Sequence, residues 1–530
     1  MIPNILSLTI FAPIVLAFLI LFMKKENETM IKWYAMIVSL IPFVLSLVLF
    51  FTYNPANPEY QFVEKWKWVT ALNSYYYLGI DGISMLLVVL STFIIPICIL
   101  ASWNTIKTRV KEYFFLILLL EGTLVGVFCS LDLILFYLFW EFILIPMYFM
   151  IGIWGGEERI YATVKFFLYT MFGSVLLLIG IIWLGFLCQP MIGEFTTDLT
   201  RLILVSPSIA ADKQTFLFIL FTLSFLIKVP LFPFHTWLPD AHVQAPTSGS
   251  VILAAILLKM GTYGLIRFSL PLFPSGFVAM TPYIAVLATV GIIYGALVSI
   301  VQKDVKKLVA YSSVSHMAFI VLGTFALTQE SMQGGVIQMI NHGLSTGALF
   351  LIVGMLYERR HTKLIAEYGG LMKVMPVFSV IFMVVVFSSI GLPGLNGFIG
   401  EFLVLIGAYK SANLGTPVYS ILSTTAVILA AVYLLWMFQR VMLGPIENEK
   451  NKDLKDISKL ELATVLPLLV FIVWIGVYPS TFLSKTETSV KRIIENFEKF
   501  KPKPVNETAP NTMPNNTPPP TQEGTPPAGK

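Results

Sequence analysis

Long apolar runs, separated by short polar stretches, fill the chain between residues 2 and 482. A helix needs about 20 mostly apolar residues to cross the hydrocarbon core of a bilayer. The pattern therefore predicts an all-α, multi-pass membrane protein with about fourteen spanning helices. The predicted spans cover residues 2–23, 33–52, 79–103, 112–131, 133–154, 162–188, 215–236, 247–270, 280–300, 308–328, 333–357, 374–410, 418–443 and 460–482.

The composition supports this interpretation. Of the 530 residues, 57% are hydrophobic and 12% are charged, and the mean hydropathy is +0.81. Ordinary soluble proteins carry about 25% charged residues, which help to cover a water-facing surface. A soluble globular enzyme is therefore excluded, and most of the exterior is expected to face lipid.

The charge distribution predicts an orientation. The net charge is +5, but the basic residues lie in short loops and form no single patch, which excludes nucleic-acid binding. Most of them follow the odd-numbered spans. By the positive-inside rule, both termini are expected on the non-cytoplasmic side of a bacterial-type inner membrane.

No redox or metal motif is visible. Cys98, Cys129 and Cys188 lie in apolar stretches without C-x-x-C spacing, and we interpret them as buried thiols. The chain also lacks a Walker motif, a dinucleotide-binding glycine fingerprint and a regular histidine pair for haem. We expect a protein that moves ions and carries no cofactor or metal of its own.

The informative residues are ionisable side chains inside the apolar runs, namely Glu141, Lys228, Lys259 and Glu401. Insertion of one such charge at the bilayer centre costs about 2.5–3.5 kcal/mol, so an idle sequence would not keep four. Each has long apolar flanks or lies beside a helix break, which makes snorkelling difficult. For Lys165, near a helix end, snorkelling and function are equally good interpretations.

Two predicted spans are interrupted beside one of these charges. Pro230 and Pro233 follow Lys228, and the glycine- and proline-rich sequence GLPGLNG precedes Glu401. Such breaks are tolerated in lipid only where they line a wet cavity, and paired breaks are typical of transporters built from internal repeats. The break falls in the fourth member of spans four to eight and again of spans nine to thirteen, which predicts a five-helix unit used twice.

This pattern also predicts the domain organisation. The last part of the chain is rich in Pro, Asn and Thr and has little to bury, which is typical of disorder. The predicted units are three N-terminal helices over 1–111, a first repeat over 112–270, a second repeat over 280–443, a last spanning helix over 444–484 and a disordered extramembrane tail over 485–530.

Histidines extend the row of charges. His316 and His342 lie in spans ten and eleven among small and hydroxylated residues, and an imidazole suits a proton relay. His235 and His242 flank Trp237 and Asp240 near the inner end of the broken seventh helix and could serve proton entry or only capping. His361 lies in a basic loop and is expected to be solvated.

Asp81 and Asp132 begin spans, and we interpret them as helix caps. The Glu141–Lys228 pair suggests a switch. While the pair is closed, Lys228 keeps its proton. When the pair opens, desolvation favours transfer of the proton towards Lys259, His316 or His342 and then Glu401.

Four segments carry a family resemblance: LFWEFILIPMYFMIGIWG, KVPLFPFHTWLPDAHVQAPTSGSVILAAILLKMGTYG, QKDVKKLVAYSSVSHM and GLPGLNGFIGEF. Together they resemble the chain M (subunit 4) type of antiporter-like membrane subunit in proton-pumping NADH:quinone oxidoreductase, respiratory complex I. The match covers about residues 75–445. The resemblance implies fourteen helices with two inverted five-helix repeats and two discontinuous helices.

The resemblance also implies roles for the site residues. Glu141 and Lys228 match the family's essential ion pair, Lys259 its central lysine and Glu401 the terminal carboxylate of its exit half-channel. His316 and His342 match its connecting histidines. Glu401 favours the M type, since the L-type paralogue has lysine there and a long lateral helix for which this chain has no room.

The implied partners are the neighbouring antiporter-like subunits of the membrane arm, while NADH, FMN, iron–sulfur clusters and quinone belong to other subunits. Two other interpretations stay open. The chain could be a subunit of a multisubunit cation/proton antiporter or of a membrane-bound hydrogenase. Alternatively, it could be a scaffold whose buried charges only hold subunits together.

Overall fold

The computed structural model describes residues 2–501 and 529, and most of these residues are helical. The helices of the first half are α1 (Ile5–Ile20), α2 (Glu28–Thr52), α3 (Gly82–Ser102), α4 (Val110–Cys129), α5 (Leu133–Phe142), α6 (Leu144–Trp154), α7 (Arg159–Ile192), α8 (Leu199–Val205), α9 (Ala211–Lys228), α10 (Trp237–Gln244), α11 (Thr247–Ile252), α12 (Leu258–Gly264) and α13 (Leu270–Leu272). Those of the second half are α14 (Pro274–Ile300), α15 (Val305–Ala326), α16 (Gln329–Arg360), α17 (Pro376–Ile390), α18 (Asn396–Tyr409), α19 (Val418–Met442), α20 (Lys459–Val477) and α21 (Ser480–Phe500).

Within residues 2–501, eleven helical stretches are long and apolar enough to cross a membrane. In this count α5 with α6 form one stretch, and so do α11 to α13. The helices α1, α17 and α18 are apolar but shorter. Large apolar side chains project outwards from the peripheral helices, and Phe22 and Ile428 are 85% and 69% exposed. The chain is therefore a multi-pass membrane protein, as its composition predicts.

Both interruptions expected from the sequence are present. The first separates α9 from α10, and the indole Nε1 of Trp237 donates to the Ile227 carbonyl at 2.9 Å there. The second separates α17 from α18, where Gly391 and Gly394 have φ angles of 83° and 93°. These left-handed conformations favour glycine, so the GLPG sequence ends α17.

Two further irregularities were not predicted. Ile143 forms a turn between α5 and α6, directly after the segment that carries Glu141. Two π-helical turns, Leu253–Leu257 and Leu265–Ser269, flank α12 and its Lys259. The first π turn contains no Gly or Pro, so neither composition nor periodicity marks it.

The aromatic segment before α3 forms a hairpin of antiparallel strands β1 (Gln61–Val69) and β2 (Ser74–Ile80). The buried carboxylate of Glu64 accepts a hydrogen bond from the Leu6 backbone N–H at 2.8 Å. This bond satisfies a free donor at the start of α1 and ties the hairpin to the helices.

Residues 485–500 differ from the sequence prediction, because they belong to α21 and not to a disordered tail. Phe482, Val490 and Phe497 are buried, and Arg492 pairs with Glu59 at 2.9 Å. This 21-residue helix is amphipathic and has no long apolar run, so a search for about 20 mostly apolar residues overlooks it. One apolar stripe is nevertheless enough for packing. The rest of the predicted tail, from residue 502 on, lies outside the described residues apart from Gly529.

The long helix α16 lies at the centre of the protein and is buried along its spanning part. It packs against α11, α15, α17, α18, α20 and α21. Its buried face carries histidine, asparagine, glutamine and serine side chains, which lipid would not solvate. The polar interior of the protein is therefore built around α16.

Candidate functional site

Four of the predicted site residues form two contacting pairs inside the protein. The Nζ atom of Lys259 lies 2.6 Å from Nδ1 of His342, and Nδ1 of His316 lies 2.7 Å from Oε1 of Glu401. All four side chains are buried. They come from α12, α16, α15 and α18, so residues far apart in the chain meet in the interior between these helices.

A narrow gap separates the two pairs. The ring centroids of His316 and His342 are 6.0 Å apart. Both rings line a cavity of about 10 Å³, which is room for about one water molecule. Within the described residues, Nε2 of His342 and Oδ1 of Asn341 have no hydrogen-bond partner. A single water could therefore connect the pairs.

The position of Lys259 depends on the irregular helix around it. Its ammonium also donates to the Ala254 carbonyl, which lies in the first π-helical turn. Such turns recur at functional sites because they change the register of a helix. A π turn beside a buried lysine brings a main-chain acceptor within reach of its charge.

Two side chains that sequence reasoning missed complete the second pair. Nε2 of Gln338 donates to Oε1 of Glu401 at 3.1 Å, and the Tyr433 hydroxyl lies 3.3 Å from Nε2 of His316. Gln338 precedes His342 by one helical turn, so the i, i+4 spacing could have indicated it. Tyr433 lies in an apolar run and gives no signal of its own.

Glu141 and Lys228 do not form a closed ion pair. Among the part of the chain that the structure describes, no salt bridge joins them, and Lys228 Nζ and Glu141 Oε1 lack hydrogen-bond partners. The ammonium lies 4.7 Å from the centroid of the Trp140 ring, which attracts a cation through its π face. The structure therefore holds the expected pair in an open arrangement.

Lys165 lies apart from the central pairs. Its ammonium contacts the Asp240 carboxylate at 2.7 Å and joins α7 to α10. The two side chains are 22% and 30% exposed, so neither is sealed in the interior. This position agrees with a location near a helix end.

The other histidines occupy three different settings. His242 is buried and stacks on Phe350 with ring centroids 4.5 Å apart, and neither of its ring nitrogens has a partner among residues 2–501. His235 is buried beside Tyr294. His361 is exposed at the end of α16. Its exposure agrees with the prediction.

Two lysines hold the end of α10. Nζ of Lys306 donates to the Ala245 carbonyl at 2.6 Å, and Nζ of Lys363 donates to the Val243 carbonyl at 2.7 Å. Burial lowers the pKa of the Lys363 ammonium, against the opposing effect of the Asp304 carboxylate. The last carbonyls of a helix favour cations, so these lysines anchor the second half of the broken helix. In the sequence both count only as basic loop residues.

The acidic residues at helix starts cap helices as predicted. The carboxylate of Asp81 accepts from the backbone N–H groups at the start of α3 and also pairs with Arg267 at 2.6 Å. Asp132 caps α5 in the same way. Glu121, inside α4, is fully buried, and neither of its oxygens has a partner within the described residues. Sequence reasoning missed both Arg267 and Glu121.

The central pairs have the chemistry of a proton relay. A neutral imidazole accepts a proton at one nitrogen and releases one at the other. The three free cysteines are buried, and within residues 2–501 no three His, Cys, Asp or Glu side chains cluster as metal ligands would. The groups that meet at the centre are a lysine, two imidazoles and a carboxyl.

Two family models match the chain. One, described as NADH:quinone oxidoreductase/Mrp antiporter, covers residues 130–430. The other, described as NADH-ubiquinone oxidoreductase chain 4, amino terminus, covers residues 8–127. The two matches together include the helices that carry every residue of the central pairs.

Individual proteins agree with these matches. NADH-quinone oxidoreductase subunit M of Rhodobacter capsulatus is 44% identical over 509 residues, which cover 93% of this chain and 97% of the relative. A chain of respiratory complex I from Thermus thermophilus superimposes with a TM-score of 0.83 at 31% identity, over 94% of this chain and 100% of that one. A chain of the Mrp complex from Dietzia sp. shares the fold, with a TM-score of 0.82 at 17% identity over 94% of this chain and 99% of that one. The chain therefore belongs to the NADH:quinone oxidoreductase/Mrp antiporter family of membrane subunits, in its subunit M (chain 4) branch.

Proposed function

We propose that this chain is the M-type membrane subunit of a proton-pumping NADH:quinone oxidoreductase and that it moves protons through a row of buried side chains. The observation that carries the proposal is the hydrogen-bonded order Lys259–His342, then His316–Glu401. Each contact is 2.6–2.7 Å, which is short enough for direct proton transfer.

In this proposal the first half of the chain supplies the proton that enters the row of buried side chains. With Glu141 and Lys228 apart, the buried ammonium of Lys228 lacks its counter-charge, and loss of its proton becomes favourable. The receiving Lys259 lies on the neighbouring helix. α12 packs directly on α9, since a Cβ at Gly261 would meet the Phe225 carbonyl oxygen at 2.6 Å. The proton then passes through His342 and His316 to Glu401.

The proposed architecture is fourteen spans with two inverted five-helix repeats. Spans 4 to 8 are α4, α5–α6, α7, α9–α10 and α11–α13, and spans 9 to 13 are α14, α15, α16, α17–α18 and α19. The fourth member is broken in both sets. Glu141 and His316 lie in the second members, and Lys228 and Glu401 in the fourth. The proposed unit boundaries at residues 111, 270 and 443 lie within about two residues of the helix ends in this assignment, Val110, Leu272 and Met442.

The proposed setting is the inner membrane of a bacterial-type cell, with both termini on the non-cytoplasmic side. The excess of Lys and Arg in loops that follow the odd-numbered spans supports this orientation. We assign NADH, FMN, iron–sulfur clusters and quinone to partner subunits, and expect antiporter-like neighbours in the membrane arm. The multisubunit cation/proton antiporter alternative is supported by the family model that covers both kinds of protein and by the shared fold of the Mrp chain.

The first test replaces the lysine of the open pair. In membrane vesicles that contain the assembled complex, Lys228→Ala is expected to abolish NADH-driven proton uptake and to slow NADH:quinone electron transfer. Lys410→Ala is the matched control, because Lys410 is 62% exposed and pairs only loosely with Glu330 at 3.8 Å. Full activity of the assembled Lys228→Ala complex would instead support the scaffold interpretation.

A further inference from the structure

Two asparagines bind each other between α16 and the start of α18, beside the break that separates α17 from α18. Nδ2 of Asn341 donates to the Asn396 carbonyl oxygen at 2.7 Å, and Nδ2 of Asn396 donates to the Asn341 carbonyl oxygen at 3.3 Å. Both side chains are buried. Each amide thus binds the other residue's main chain, and we name this arrangement the asparagine clamp.

Two serines reinforce the asparagine clamp. The hydroxyl of Ser388, in α17, donates to Oδ1 of Asn396 at 2.5 Å and lies 2.6 Å from the hydroxyl of Ser345, in α16. Ser345 in turn accepts a hydrogen bond from Nδ2 of Asn396 at 3.1 Å. Both halves of the broken helix are therefore tied to α16.

Glycines allow the helices to approach closely here. A Cβ at Gly400 would meet Oε1 of Gln338 at 2.2 Å and Nδ2 of Asn341 at 3.0 Å. A Cβ at Gly397 would meet the Ser388 carbonyl oxygen at 2.1 Å. The backbone of α18 therefore lies directly against the side chains that bind it.

The asparagine clamp connects α16 and α18, two of the four helices that carry the central pairs. Asn341 is adjacent to His342 in α16, and Asn396 precedes Glu401 by five residues in α18. A shift of α18 along α16 would move the Glu401 carboxyl away from both His316 and Gln338. The contacts at Glu401 thus depend on how α18 is held.

We infer that Asn341 and Asn396 are positioning residues, which fix the Glu401 half-helix against α16 so that the His316–Glu401 contact forms. This inference rests on the proposed function. The amides themselves take no proton in it, because a carboxamide is not a base near neutral pH, and their donors bind main-chain carbonyls. In the first half, by contrast, the break before α10 is held by Trp237 and two lysines.

The test compares buried asparagines inside and outside the clamp. Asn341→Leu and Asn396→Leu are expected to lower proton uptake per assembled complex by about tenfold each, since small displacements of reacting groups cost up to about 10²-fold. The double variant should be no slower than either single one, because both remove the same clamp. Asn451→Leu is the control, since Asn451 is equally buried but binds Glu367 and Arg360 in a loop. Wild-type uptake in either clamp variant overturns the inference.

A covalent link shows which half of the broken helix matters. The hydroxyls of Ser345, in α16, and Ser388, in α17, are 2.6 Å apart, so a Ser345→Cys/Ser388→Cys pair can be oxidised to hold α17 against α16 while α18 stays unlinked. In the Asn396→Leu background, oxidation of this pair is expected to leave uptake low, because the half-helix that carries Glu401 is still not held. Recovery of uptake in the oxidised, assembled protein would place the effect in α17 and overturn the inference.

Glu401→Gln is measured in parallel. If that variant pumps normally, the proposed function fails and the role of the clamp falls with it. If it stops pumping while both asparagine variants keep wild-type uptake, only the clamp inference is overturned. The two failures therefore give different results.

Discussion

The two halves of the protein hold equivalent acidic and basic groups in opposite states. In the first half, Glu141 and Lys228 are apart, and the lysine contacts the face of Trp140. In the second half, His316 and Glu401 are 2.7 Å apart. In the proposed repeats, the two members of each pair lie on the second and the fourth helix, and the fourth helix is broken in both.

The difference shows what a broken helix can do in lipid. The break leaves room for a charged group whose partner lies on another helix, and the charge can then be paired or unpaired without unfolding a span. In the second half, Gln338, Tyr433 and the asparagine clamp keep the pair together. The first half has Trp140 in their place, which stabilises a lone ammonium. An open pair that can close, such as Glu141 and Lys228, is the arrangement expected of a switch. A closed pair, such as His316 and Glu401, is the arrangement expected of a relay.

After Lys228→Ala, the largest expected effect comes from the closed pair. Glu401→Gln keeps the shape of the side chain but removes the proton-accepting carboxylate beside His316. We expect proton uptake in vesicles to fall by about 100-fold, the magnitude that loss of a positioned acid or base typically has.

The control for this change is Glu330→Gln, an exposed carboxylate at the start of α16. That variant should pump normally. Equal losses in the two variants would mean that uptake responds to charge in general and not to the relay.

The sequence predicts the members of these pairs better than their contacts. Glu141, Lys228, Lys259 and Glu401 stand out because each interrupts an apolar run, and proline or glycine marks both broken helices. The partner of each charge is set by packing between residues 80 or more positions apart, which no local pattern encodes. The π turns beside Lys259 likewise lack a distinctive local signal, whereas the helix over residues 480–500 has an amphipathic stripe that a search for long apolar runs overlooks.

The second prediction concerns the open pair. Trp140→Leu removes the aromatic face beneath Lys228, a contact worth up to about 2 kcal/mol for a desolvated cation. Without it, Lys228 should move towards Glu141, and the proton uptake rate should fall by about tenfold as the switch stays closed. The rate is measured in vesicles at saturating NADH.

Trp140→Phe is the matched variant, because it keeps an aromatic face but loses the hydrogen bond from the indole to Ser174. It should retain most of the uptake. If Phe and Leu at this position are equally slow, the indole hydrogen bond matters and the cation–π contact does not.

A smaller effect is expected at the far side of His316. Tyr433→Phe removes the hydroxyl that lies 3.3 Å from Nε2 of His316. A hydrogen bond contributes about 0.5–1.5 kcal/mol, so uptake should fall by about 2- to 10-fold. Tyr419→Phe, on the same helix α19, serves as the control and should have no effect. A loss as large as that of Glu401→Gln would make the tyrosine part of the proton route itself.

The smallest effect is expected for Lys165, which the sequence left undecided between snorkelling and function. Its pair with Asp240 is partly exposed, and such pairs contribute about 0.2–1 kcal/mol, so Lys165→Met should reduce uptake by less than about fivefold. Asp240→Asn should behave alike, since either change breaks the same pair. A loss in Lys165→Met near that of Lys228→Ala, with Asp240→Asn unaffected, would place Lys165 in the proton route. In that case the first half of the protein would take up its proton through α7 as well as through α9. The two halves would then differ in their proton route as well as in whether their ionisable pair is in contact.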